Sequence, residues 1–279
     1  MVNILYRRKG DVHLTEVREF IMGLMFPAAN ILKKYFNSAG LVSEYKDERE
    51  TVTEADLEVD QFLRDEIGRK YPNHKFLTEE TAPRNPEEQK ALFESLRDEQ
   101  NLWIIDSLDG TWNFSKGHPN FAISAALGRK GYTRLGIVYV PMSYELYWAQ
   151  EDIEGAYLNG QRIYVSKTER IERSVFECDF PSNMAKRRQT WERQGKVLDV
   201  MQMKTMSSAV ADLASLACGR IDAYLNGGLK PWDVAAVYLI DEKAGARVTT
   251  PEGNHFNVFE PDIFASNGIL HEEFLRRWK

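Results

Sequence analysis

Cysteine is nearly absent from this chain of 279 residues: there are two, Cys178 and Cys218. Two cannot build a disulfide framework, and neither has a partner at C-x-x-C spacing, so a reducing compartment is expected. Long apolar runs are missing too. None approaches the roughly 20 residues of a membrane span, and Met1-Val-Asn-Ile-Leu-Tyr-Arg-Arg-Lys9 lacks the apolar core of a signal peptide. The expectation is a soluble cytoplasmic protein with no membrane partner. Excess basic charge is also lacking. The net charge is −6, with 36 Lys and Arg against 42 Asp and Glu, and no basic stripe of the kind that tracks a phosphate backbone. Direct nucleic-acid binding is therefore not expected, and Lys186-Arg-Arg188 reads as a solvated cluster. Repeats and low-complexity linkers are absent as well.

What is present is ordinary globular material, 43% hydrophobic and 28% charged, enough for a sizeable core. Helical spacing of Val17, Phe20, Ile21, Leu24 and Ala28 predicts a helix over 15–38, kinked or interrupted at Pro27. The polar stretch 40–52 reads as an exposed loop or hairpin. Thr53-Glu-Ala-Asp56 has the form of a capping box with Asp in place of Glu or Gln. It opens a helix with Val59, Phe62, Leu63 and Ile67 on one face. Further on come a short strand over Lys75–Thr78, a helix around 87–98 and a buried strand over Leu102–Ile105. Alternation predicts strands through 120–150, and Asn159-Gly160 marks a hairpin. In the second half the pattern gives a helix over Ser208–Leu216, a strand over Ile221–Leu225, and a helix opened by Pro231 and closed at Gly245. Antiparallel strands mixed with packed helices argue for an α+β or layered α/β domain, not a doubly wound parallel sheet.

The chemistry concentrates at Asp106-Ser-Leu-Asp-Gly-Thr-Trp-Asn-Phe114. Two acids at a strand end can converge on a hard cation, and the following Gly-Thr can turn N–H groups toward an anion. Leu-Asp-Gly-Thr is similar to the loop of the haloacid-dehalogenase phosphatases, but there the nucleophilic Asp stands two residues before the second one. Here that position is Ser107, which points to attack by water. Taken singly, each acid has a plainer reading: Asp233 as a helix cap, Glu79-Glu80 as a solvated pair, Asp56 as a first-turn acid, Asp106 and Asp109 as turn residues. One metal site accounts for all of them together.

The stretch resembles the D-P-x-D-G-T-x-N-F signature of the inositol monophosphatase superfamily, with Ser107 in place of Pro. Other segments follow in the family's order: Thr53–Asp56 for T-x-x-D, Thr78-Glu79-Glu80 for G-E-E, Gly155–Gly160, Ala217–Tyr224 and Lys230–Ala236. The resemblance implies one domain over 1–279 with the layered α-β-α-β-α sandwich of the inositol monophosphatase and fructose-1,6-bisphosphatase type. Its sub-lobes would be about 1–150 and 151–279. It implies a lithium-sensitive, Mg²⁺-dependent phosphomonoesterase binding two or three ions, with Mn²⁺ as a substitute. The ligands would be Glu79, Asp106, Asp109, Asp233 and the Leu108 carbonyl. Glu79 and Thr111 would hold the attacking water, and Asp56 the Thr111 hydroxyl. Gly110, Thr111, Ser207, Ser208, Ala209, Asn226 and Asp233 would contact the substrate, with Asn226 standing where the family commonly has Glu. Lys46 falls in the segment that the family uses near the metal. The implied partners are a small phosphorylated metabolite and a second copy in a homodimer. Inositol-1-phosphate leads, beside fructose 1,6-bisphosphate, histidinol phosphate and a 3′-phosphonucleotide. A regulatory, transcription-associated protein acting through protein contacts is the alternative of a different class.

Overall fold

The structure is a computed structural model that describes residues 13–36, 43–45 and 51–278; Lys46 lies outside the described residues. Helix α1 (Leu14–Phe36) buries Leu14, Val17, Ile21, Leu24, Met25, Ala28, Ala29 and Leu32. It is not interrupted at Pro27. The buried stripe continues on both sides of the proline, and that packing outweighs the missing hydrogen bond, a loss of about 3 kcal/mol in an isolated helix. Strands β1 (Ser43–Tyr45) and β2 (Thr51–Thr53) pair antiparallel, as the hairpin alternative for the polar stretch expects. The capping box starts α2 (Glu54–Lys70): Thr53 N–H donates to Asp56 at 2.9 Å, and the Thr53 hydroxyl donates to the same carboxyl.

Next come β3 (Lys75–Thr78), α3 (Pro86–Leu96), β4 (Leu102–Asp109), the short α4 (Thr111–Ser115), β5 (Ala122–Arg129), β6 (Tyr132–Val140), β7 (Glu145–Gln150), β8 (Ala156–Leu158) and β9 (Gln161–Ile163). Strands β3 to β9 form a seven-stranded sheet in sequence order, antiparallel except for β3 beside β4. The turn between β8 and β9 has Asn159 and Gly160 both at positive φ, as a two-residue hairpin requires. The chain then crosses to a second sheet. Strands β10 (Val175–Cys178), β11 (Gln202–Lys204), β12 (Ala223–Asn226), β13 (Arg247–Thr249) and β14 (Ile263–Ser266) are ordered β11-β10-β12-β14-β13. Helices α5 (Met184–Gly195), α6 (Ala209–Ala217), α7 (Pro231–Ala244) and α8 (His271–Trp278) complete the chain.

Strand alternation sorts these elements into layers. Trp103 and Ile105 of β4 join Leu135, Ile137 and Tyr139 of β6 against α1 and α2. Leu102, Ile104 and Val138 face the opposite way, onto α6 and α7. Tyr224, Ile263 and Ala265 of the second sheet reach the same α6–α7 layer from its other side. Phe176, Cys178, Ala223, Leu225 and Phe264 point away, onto α8. The result is an α-β-α-β-α sandwich whose central helices serve both sheets. At Gly136 of β6 the backbone of α7 comes so close that a Cβ would stand 2.2 Å from the Ala236 carbonyl oxygen. A Gly136→Ala variant should therefore lose about 3 kcal/mol or more of stability through overpacking, read as a lower urea midpoint.

Candidate active site

Strand β4 carries the core of the site. In a regular strand residues three apart point to opposite faces, which would separate Asp106 from Asp109. The pairing with β5 jumps from Asp106↔Ser124 to Asp109↔Ala122, three residues against two. This bulge turns the Leu108 side chain into the α1–α2 core and brings Asp109 back to the α6 side with Asp106. Glu79 follows β3, and its N–H bonds the Ile105 carbonyl at 3.4 Å, so it stands next to Asp106. Asp233 comes from the first turn of α7. Its carboxylate accepts the Lys230 N–H at 2.6 Å, so it caps the helix and faces the site at once.

Carboxylate oxygens of Glu79, Asp106 and Asp233 lie within 4.8 Å of one another. Asp109 adjoins them. Its Oδ2 accepts the Val210 N–H at 3.0 Å and the Ser208 hydroxyl, so it caps the start of α6 from outside. Burial, then the charges of Glu79, Asp109 and Asp233, raises the Asp106 carboxyl well above the usual range. Burial, then Asp109 and Glu79, does the same to Asp233. Burial pushes Asp109 up to about 7, against the pull of Ser208 and Val210. Like charges collected in a buried space call for a cation. The donors are all hard oxygens, with no thiolate or imidazole among them, which fits Mg²⁺ or Mn²⁺.

Other predicted residues gather around this cluster. The Thr111 hydroxyl lies 2.9 Å from the Leu108 carbonyl and 3.3 Å from Asp56 Oδ1. Gly110 precedes α4 at φ 87°, and a Cβ there would meet the Asn120 carbonyl at 2.9 Å and Ser208 Cβ at 3.1 Å; only glycine suits both demands. Ser207 is exposed at φ 59°, while Ser208 and Ala209 are buried at the head of α6. Asn226 is buried. Its amide donates to the Tyr224 hydroxyl at 3.1 Å, and its carbonyl oxygen is buried without a partner.

Sequence reading missed Asn113, Asn120, Asp179 and Asp212. Asn113 Nδ2 spans to the carbonyls of Asn120 (2.8 Å), Met206 (2.7 Å) and Ser207 (3.2 Å), tying the motif to the segment before α6. It stands inside the quoted signature, so a signal existed. Asp179 and Asp212 carried none beyond being acids at positions next to apolar neighbours.

A model of the inositol monophosphatase family matches residues 13–278. A fructose-1,6-bisphosphatase/inositol-1-monophosphatase of Thermotoga maritima is 31% identical over 262 residues, covering 92% of this chain and 94% of that protein. The Nus factor SuhB of Vibrio cholerae is 36% identical over 243 residues, 85% of this chain and 86% of that protein. The crystal structure of the extragenic suppressor protein suhB from Bartonella henselae superposes with a TM-score of 0.84 at 29% identity, covering 95% of this chain and 98% of that one.

Raised carboxyls add stability that is fully present below their unfolded value of 3.8 and is lost as pH rises through the folded value, about 7 for Asp109. A divalent ion removes that penalty by replacing the protons. Mg²⁺ should therefore raise the melting temperature more at about pH 8 than at about pH 5, in paired thermal scans with and without the ion.

Proposed function

The chain belongs to the inositol monophosphatase family, and from that premise we propose that it hydrolyses a small phosphate monoester with Mg²⁺. The convergence of Glu79, Asp106 and Asp233 carries this reading. These three, with Asp109 and the Leu108 carbonyl, would hold the ions. When bound, Mg²⁺ supplies positive charge for the phosphoryl oxygens and acidifies a water. Thr111 has one hydroxyl proton, engaged by Leu108 and Asp56, so its lone pairs are left to accept from a water. Thr111 and Glu79 would orient that water, and Asp56 would fix the rotamer of Thr111. Gly110 and Thr111 would receive the phosphate. Ser207, Ser208, Ala209, Asn226 and Asp233 would border the rest of the substrate.

Inositol-1-phosphate is the proposed substrate. The Thermotoga maritima relative is named for both fructose-1,6-bisphosphatase and inositol-1-monophosphatase, so fructose 1,6-bisphosphate belongs in the same test, with histidinol phosphate and a 3′-phosphonucleotide. The proposed setting is a cytoplasmic homodimer; among the described residues no helix is long and apolar enough to cross a membrane. A second reading, regulation through protein contacts, draws on the relatives named Nus factor SuhB.

Phosphate release from the four esters with Mg²⁺ separates the readings. Release from one of them is expected, with inositol-1-phosphate fastest; no release from any overturns the enzymatic reading and favours the regulatory one. Asp109→Asn keeps an acceptor for the Val210 N–H and should fold normally. It should lose at least about a hundredfold in kcat/KM, since even partners behind a metal ligand are worth 10–100-fold.

A further inference from the structure

Behind the segment that holds Asp109 lies a second group of buried acids. Alternation on β12 puts Tyr224 and Asn226 on the α6 side of the second sheet. Glu177, paired with Tyr224 across β10, shares that face, and Asp179 follows two residues later. Asp212 enters from α6. Glu177, Asp179 and Asp212 are all buried. Lys204 stands beside Glu177 on β11 and acts on its charge.

The bonds of this group converge on one short stretch of chain. Asp179 accepts the Tyr224 hydroxyl at 2.9 Å and the Ser207 N–H at 2.9 Å. Burial raises the Asp179 carboxyl, and burial, then the charges of Asp179 and Glu177, raises Asp212 well above the usual range. Asp212 also accepts Asn120 Nδ2 at 3.1 Å and the Ser208 N–H at 3.3 Å. Ser207, a residue with a Cβ, is held at φ 59°, a strained conformation that persists only where its surroundings impose it. Immediately after it, Ser208 and Val210 donate to Asp109.

Asp179 and Asp212 thus hold two successive backbone N–H groups, those of Ser207 and Ser208. We propose that Asp179 and Asp212 are positioning residues which, by accepting these two N–H groups, lock Ser207–Val210 in the shape that aims Asp109 at the metal. Neither touches substrate or ion. They act through Ser207, Ser208 and Val210, and the inference rests on the metal-site reading given above.

The measurement is Mn²⁺ affinity by titration calorimetry at neutral pH, with folding checked by circular dichroism. Asp179→Ala and Asp212→Ala should each weaken Mn²⁺ by about tenfold or more, the range for partners behind a metal ligand. Asp212→Asn should stay within about threefold of the unaltered protein, because its amide oxygen still accepts the Ser208 N–H; a merely space-filling role predicts that Asp212→Leu, of similar bulk but without an acceptor, binds Mn²⁺ equally well. Wild-type affinity in Asp179→Ala, or equal losses in Asp212→Asn and Asp212→Ala, overturns the proposal. Should the alanine variants fail to fold, Asp179→Asn keeps the shape and leaves a single acceptor oxygen for two donors, the Ser207 N–H and the Tyr224 hydroxyl. Weakened Mn²⁺ binding in it supports the proposal, and unchanged binding overturns it. Affinity is read without substrate, so a wild-type protein that releases no phosphate defeats the enzymatic reading and leaves this result standing.

Discussion

Four carboxylates set against one another hold the centre of this structure together and strain it at once. Glu79, Asp106 and Asp233 crowd within a few ångströms, with Asp109 adjoining. In a buried space their mutual repulsion is large unless protons or a cation intervene. Much of the surrounding geometry serves to keep them there. The bulge in β4 puts Asp106 and Asp109 on one face. The parallel pairing of β3 with β4 brings in Glu79. Helix α7 presents Asp233 in its first turn, where its own backbone N–H groups favour a negative charge.

The layered architecture explains why α6 and α7 carry so much of the site. They lie between two sheets, so each is buried on both sides and has little freedom to shift. Asp233 rides on one of them, and the donors to Asp109 ride on the other. Glycine makes the close approaches possible at two points: Gly136 under α7, and Gly110 between the Asn120 carbonyl and Ser208. Asn113 then bonds across to Met206 and Ser207, so that the first sheet's motif is tied to the segment before α6.

Around the carboxylates runs a ring of hydrogen bonds that act at one remove. Asp56 closes the capping box of α2 and also receives the Thr111 hydroxyl, which links a helix start to the place where a water would be held. Asp179 and Asp212 form the opposite arc, behind Asp109. The catalytic reading depends on both arcs, because carboxylates that repel one another stay aimed only when their neighbours hold them.

Much of the fold was legible in the residues. The Thr53–Asp56 box, the Asn159-Gly160 turn, the Gly245 stop and the strand alternation are local signals, set by backbone sterics and by side chains a few residues apart. The order of the motifs along the chain identified the family and named Glu79, Asp106, Asp109 and Asp233 together. The interruption weighed at Pro27 does not occur, because a proline's local cost says nothing of the apolar stripe that continues past it. The bulge was not legible, since a register shift is a property of two paired strands. Nor was the meeting of Asp179 and Asp212 at the Ser207–Ser208 backbone, which comes from bringing the end of β10 and α6 together. The sequence by itself determined the donor chemistry and the mixture of helices and strands, because residue type and short-range periodicity suffice for those, while the order of the layers was implied by the resemblance. Only the tertiary structure decided which carboxylates meet and what holds Asp109, because those depend on distances between segments that no local pattern encodes.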